Sequence, residues 1–127
     1  GRGVGPPAGA KSAVEPGVGI EQVPMKRGEI WWAEVDKRRP VVLLSRNEAY
    51  ELRRMVVVAP VTTTIRGYAV EVAVGKAEGL PRKGVVNCDW LVTIPIADLD
   101  GRAGELTGNK IEQLDEALRF ALGLDEP

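Results

Sequence analysis

A chain of 127 residues, 44% hydrophobic and 28% charged, is the size of one domain with one core, and it has no apolar run long enough to cross a bilayer. It has no histidine and one cysteine, Cys88. It therefore lacks the commonest acid–base side chain near neutral pH, any internal disulfide and the usual ligands of a zinc site. The formal net charge of −1 conceals a division: residues 25–83 carry 12 Lys/Arg against 7 Asp/Glu, residues 84–127 carry 3 against 9. A polyanion-facing half beside a solvated acidic half is one reading of this, and chance segregation the other.

Residues 1–24 hold 6 Gly and 4 Pro without helical or alternating periodicity, which predicts a disordered extension ahead of a single domain over 25–127, with Met25 a plausible start. They show no basic stretch followed by an apolar one, and a lone cysteine suits a reducing compartment, so the expected location is the cytoplasm. From Gly28 the pattern is that of short strands: "EIWWAEV" (29–35), "PVVLLS" (40–45), "MVVVAPVT" (55–62), "AVEVAV" (69–74) and "GVVNC" (84–88). Such close spacing predicts a mostly β protein built on a small, strongly curved sheet or barrel. Pro60, which lacks the ladder donor, is expected at a bulge or a strand end. "NEAYELRR" (47–54) allows a turn or two of helix. A C-terminal amphipathic helix is expected where Ile111, Leu114, Leu118, Ala121 and Leu122 recur at helical spacing, with Thr107 as its N-cap, an Asp115–Arg119 pair and Gly123 as a left-handed cap.

The adjacent Trp31 and Trp32 must face opposite sides of their strand, one toward the core and one toward an interface or groove. Cys88 reads as a small buried hydrophobe rather than a nucleophile. Arg39 opens one strand and "TTTIRGY" (62–68) leaves another, so a guanidinium, hydroxyls and an aromatic ring can converge on one side of the sheet, a combination suited to phosphate. Thr63 and Thr64 add hydroxyls there. Lys37, Arg38 and Arg66 are candidate contacts to backbone phosphates, or exposed cations and no more. Tyr68 is placed to stack a base or to pack on the barrel. Asn87 and Asp89 can read base edges or sugar hydroxyls, or form a turn in which Asp89 caps a local amide.

The order "RGEIWWAEV", Arg39-Pro40 with "VVLLS", "VVVAPVTTTIRGYAVEV", "GVVNCDWLVTIP" and "NKIEQLDEALRFALGL" resembles the MazF/PemK family of toxin–antitoxin ribonucleases over residues 26–124. The resemblance implies an SH3-like barrel with a C-terminal helix, a homodimer, a cognate antitoxin as partner, and cleavage of single-stranded RNA with no metal or other cofactor. It assigns catalysis to Arg39 and Thr62. It also implies a longer glycine-rich loop with an acid before the Arg-Pro pair, whose one counterpart here is Asp36. Two other readings stay open at this point: a barrel that holds single-stranded nucleic acid without cutting it, and a gyrase-poisoning toxin of related fold.

Overall fold

The computed structural model describes residues 25–126. The 1–24 extension and Pro127 lie outside the described residues. Among the described residues there are seven strands: β1 (Glu29–Glu34), β2 (Arg38–Leu43), β3 (Met55–Thr62), β4 (Glu71–Val74), β5 (Gly84–Asn87), β6 (Val92–Pro95) and β7 (Leu99–Glu105). A short helix α1 (Ala49–Leu52) follows β2, and α2 (Asn109–Leu122) closes the described segment. The main path through the sheet runs β4-β5-β3-β2-β1-β7, with β6 pairing to β3 off that path. Every ladder is antiparallel. No described helix is long and apolar enough to cross a membrane.

The strand β3 organises the rest. Its first half pairs with β6 as far as Val58–Val92, and its end pairs with β5 at Val61–Val86 and Thr62–Val85. Pro60 falls in the gap between those two partners, where no ladder bond is lost by its missing N–H. The strand runs on two residues past Pro60 without a bulge, to the Thr62 end read from the sequence. Its alternating side chains feed two cores. Ala59 and Val61 join Ile30, Val42, Val86 and Cys88 on one side, while Val56 and Val58 join Ala33, Val41, Leu43 and Ile94 on the other.

Curling comes from two register shifts in the β1–β7 ladder, between Ile30 and Trp31 and between Trp31 and Ala33. The turn after β4 (Lys76–Glu78) then lies directly against β7, bringing the two edges of the sheet together. Only glycine permits this approach, because a Cβ on Gly104 would run into the Glu78 carbonyl and one on Gly79 into that of Ala103. Gly104→Ala is therefore expected to destabilise the fold by about 1–3 kcal/mol through backbone displacement. Urea titration of the two proteins measures this, and equal midpoints would show that the edges do not depend on the contact.

The helix α2 packs Leu114 and Ala117 into the first core, with Ile111, Leu118 and Ala121 at its margin. Leu122, expected on the buried face, is 56% exposed. The helix also begins at Asn109 behind Gly108, with no side-chain cap, so Thr107 is not its N-cap. Asp115 does not pair with Arg119. It takes the Arg27 guanidinium at 2.9 Å, while Arg27 also donates to the Leu44 carbonyl at 2.9 Å and so ties helix to sheet. Gly123 does form the left-handed cap, with φ 65° and ψ 31°.

Candidate active site

Neighbours in a strand point to opposite faces, and Arg38 and Arg39 are separated accordingly. Arg38 lies 5.0 Å over the Trp32 ring and donates to Asp100 on the exposed side of β2. Trp31, on the other face, packs at the margin of the second core and donates to Glu29. Arg39 turns toward β3. Its Nη1 reaches the Val61 carbonyl at 3.5 Å, and its side chain is only 16% exposed. The pairs Val41–Pro60, Val42–Ala59 and Leu43–Val58 define the β2–β3 register. The ladder ends at Val41–Pro60, and beyond it Arg39 reaches the carbonyl of Val61, the residue before Thr62. The two residues assigned to catalysis by resemblance thus lie at adjoining ends of β2 and β3, linked through the Val61 carbonyl.

The guanidinium is held on two sides. Asp36 accepts from Nε at 2.7 Å and from Nη2 at 2.9 Å, and the Trp90 ring lies 5.2 Å from Cζ. Asp36 takes the Nε–H and one Nη2–H and the Val61 carbonyl one Nη1–H, which leaves one N–H on each of Nη1 and Nη2 for another acceptor. The Arg39 hydrogen bonds hold the Asp36 carboxyl well below the usual carboxylate range, and Asp36 in turn pushes the Arg39 pKa further up. Arg39 is therefore a permanent cation. Asp36 is a poor base and a good brace.

Thr62 is half-buried, and its Oγ1 accepts the Thr64 N–H at 3.1 Å. One lone pair is thus spent inside the protein, leaving the hydroxyl proton free to donate outward. Thr63, Thr64, Arg66 and Tyr68 are exposed along the loop that follows. That loop is gathered by Glu71, whose carboxylate accepts backbone N–H groups of Arg66, Gly67 and Tyr68. Lys37 is exposed in the turn between β1 and β2, where its carbonyl accepts the Val35 N–H at 2.9 Å.

At the end of β5 it is Asn87, not Asp89, that caps the turn: its Oδ1 accepts the Asp89 N–H at 2.9 Å. The Asp89 side chain stays exposed, and Trp90 leads back to Arg39. Cys88 is buried, and burial followed by the Asp89 charge pushes its thiol up to about 11, so it is no nucleophile at neutral pH. The structure therefore brings Arg39, Thr62, Asp36 and Trp90 into one cluster, flanked by the 63–68 loop. Arg38 stands apart on the opposite face. Sequence reasoning did not single out Trp90 or Glu71, because neither role has a local signature. Only the fold brings Trp90 over Arg39, and only the loop's curl turns three amides toward Glu71.

These features define a mostly β protein whose small, curled antiparallel sheet carries a braced arginine and, at the end of β3, a threonine hydroxyl. Residues 26–122 match the family described as PemK-like, MazF-like toxins of type II toxin–antitoxin systems, and the chain belongs to that family. One relative is Endoribonuclease MazF3 of Mycobacterium tuberculosis, 43% identical over 93 residues, which span 73% of this chain and 90% of that protein. Another is Probable endoribonuclease MazF5 of the same species, 41% identical over 99 residues, spanning 76% and 91%. Among solved structures, the Mycobacterium tuberculosis toxin MazF-mt6 superposes with a TM-score of 0.72 at 41% identity, covering 75% of this chain and 96% of that one. An endoribonuclease in complex with its cognate antitoxin, from a mycobacterial species, superposes with a TM-score of 0.74 at 30% identity, covering 81% and 99%.

Proposed function

We propose that this family member is a cytoplasmic, sequence-specific endoribonuclease toxin that cleaves single-stranded RNA without a metal ion and thereby inhibits translation and growth. The observation that carries the reading is the braced Arg39 guanidinium, which reaches the carbonyl of Val61 next to Thr62, whose hydroxyl keeps its proton to donate. Two fixed donors of this kind match two oxygens of one phosphate.

The reaction they fit is attack by the ribose 2'-oxygen on the adjacent phosphorus. The O2'–P bond forms as the 2'-hydroxyl gives up its proton to solvent water. Negative charge gathers on the phosphorane oxygens, where Arg39 and Thr62 stabilise it in a way no ground-state phosphate requires. The P–O5' bond then breaks, its electron pair leaves on O5', and that oxygen takes a proton from solvent water. The products are a 2',3'-cyclic phosphate and a 5'-hydroxyl. Arg39 stays protonated throughout and serves as the clamp. Lys37, Arg66, Thr63, Thr64, Tyr68, Asn87 and Asp89 line the approach, where the exposed cations meet backbone phosphates and Tyr68 offers a face for a base. Arg38, turned toward Trp32 and Asp100, would meet only a strand that reaches the face of β2 opposite Arg39. The chain acts as a homodimer and is neutralised by a cognate antitoxin, as its family implies.

Incubating the purified protein with mixed-sequence RNA, with and without EDTA, and mapping the new ends tests the proposal. Cuts at one short recurring sequence in both samples support it. Binding without cuts would reduce the protein to a nucleic-acid-binding barrel.

Asp36 supplies a further test. Asp36→Ala frees the Arg39 fork and should lower kcat about tenfold, whereas Asp36→Asn, which keeps one acceptor, should fall between the two. A carboxyl whose folded pKa is depressed contributes stability above its unfolded pKa, and that contribution is lost only as pH falls through the lower folded value. The brace is therefore intact throughout the physiological range. Any acid limb in the pH–rate profile of the wild type above pH ~5 should persist unchanged in Asp36→Asn, and its disappearance would give Asp36 a proton-transfer role instead.

A further inference from the structure

Glu71 is the first residue of β4, and its backbone is fixed by pairing with Asn87 of β5. Its side chain turns back over the loop that leaves Thr62. Oε1 accepts the Gly67 N–H at 2.8 Å, the Arg66 N–H at 3.1 Å and the Tyr68 N–H at 3.4 Å, and the Glu71 N–H closes the ring on the Tyr68 carbonyl at 3.0 Å. Three consecutive amides aimed at one oxygen form an anion-binding concavity, here filled from within the chain. Gly67 makes the curl possible with φ 78°, and a Cβ there would meet open space, so backbone conformation rather than crowding calls for glycine.

The loop has no other anchor of this strength among the described residues. Residues 63–69 are all exposed, with Ile65 at 55% and Tyr68 at 60%. No core holds them. The latch at the near end is the Thr64 N–H on Thr62 Oγ1, and the latch at the far end is Glu71. A loop secured only by polar contacts at its two ends loses order when one end is released.

We propose that Glu71 is a positioning residue: it fixes the 63–68 loop so that Arg66 and Tyr68 stand rigidly beside Arg39 and Thr62, where they select the nucleotides flanking the cut. The inference rests on the reading of this rim as an RNA-cleaving site. Glu71 has no part in the bond changes. Its effect falls on affinity and on sequence preference, since a preordered loop spares the ordering entropy that a mobile one loses on binding.

The rival role for a carboxylate near an RNA path is repulsion, and the two separate cleanly. Glu71→Gln keeps an oxygen for the three amides and removes the charge, whereas Glu71→Ala removes both. The probe is a short RNA carrying the preferred cut sequence with a 2'-deoxyribose 5' of the scissile phosphate, which binds without being cut. As a positioning residue, Glu71 gives a Glu71→Ala variant about tenfold weaker in Kd and a Glu71→Gln variant within about threefold of wild type. On the cleavable strand Glu71→Ala raises KM with kcat within about threefold, and its cut-site profile over mixed RNA broadens. The Arg66, Gly67 and Tyr68 amides lose hydrogen-exchange protection in that variant alone. Gly67→Val, at an open surface position, strains the same curl and should reproduce the Glu71→Ala weakening without threatening the fold. Tighter binding by both Glu71 variants would make the carboxylate a repulsive charge and overturn the proposal. Unchanged Kd and cut profile in Glu71→Ala and Gly67→Val would overturn it too. A wild type that binds the strand but cuts no RNA would remove the cleavage reading, while the order of the affinities would still decide the latch.

Discussion

Arg39→Ala lowers kcat for RNA cleavage by about 10²–10³-fold while leaving the protein folded, the loss expected when one fixed donor to a developing oxyanion is removed. The side chain belongs to neither hydrophobic core, so its truncation removes no core packing. Arg39→Lys should recover little. A lysine ammonium is a point charge and cannot make both bonds to the Asp36 carboxylate while still offering paired N–H groups to a phosphate, nor lie flat over Trp90. Thr62→Ala should follow the same pattern at about tenfold to a hundredfold, with Thr62→Ser retaining most activity because the hydroxyl is what donates. Circular dichroism and thermal melting establish folding, and single-turnover kinetics on a labelled strand give the rates. Near-normal turnover in Arg39→Ala would take the guanidinium out of the mechanism.

The second large effect lies in the substrate. Replacing the one ribose 5' of the scissile phosphate by deoxyribose should abolish cutting to the limit of detection, because the attacking atom is gone. Affinity for that strand should stay within about threefold, since phosphates and bases carry most of the contacts. Gel-shift titration and an end-labelled cleavage assay on the same pair of strands separate binding from chemistry. Efficient cutting of the deoxy strand would mean that water attacks directly, and a different catalytic apparatus would be needed to activate it.

The parts of this fold that could be read from sequence are those whose local chemistry agrees with their final setting. The strand β3 begins and ends where expected, at Met55 and Thr62, because an almost unbroken β-branched run sits in the middle of the sheet and feeds both cores. The strands β6 and β7 escaped notice for the opposite reason. "VTIP" is short and ends in proline, and "LDGRAGE" carries two glycines and three charges. Their pairing with β3 and β1 makes them strands, not their propensity. Gly104, which weakens any local strand signal, is the residue that lets β7 meet the turn after β4.

At the site, family resemblance carried Arg39 and Thr62, and the fold supplies the physical content by bringing Arg39 to the carbonyl of Val61 beside Thr62. Asp36 was recognisable as an acid near the Arg-Pro pair, but its use as a brace depends on a tight turn that folds it back onto Arg39. The pairing of Asp115 with Arg27 rather than Arg119 follows the same logic, since a tertiary partner 88 residues away in the chain displaced the local one. Trp90 and Glu71 depend wholly on such long-range placement, which no spacing rule anticipates.

The central claim is that the substrate's own 2'-hydroxyl attacks a phosphate clamped by Arg39 and Thr62, with no metal in the step. Among the described residues no three of His, Cys, Asp and Glu are grouped as metal ligands. Mass spectrometry of the fragments released in the presence of EDTA tests the claim most directly. The account predicts upstream fragments ending in a 2',3'-cyclic phosphate and downstream fragments beginning with a 5'-hydroxyl. Downstream fragments bearing a 5'-phosphate, or activity that vanishes in EDTA and returns with magnesium, would contradict it.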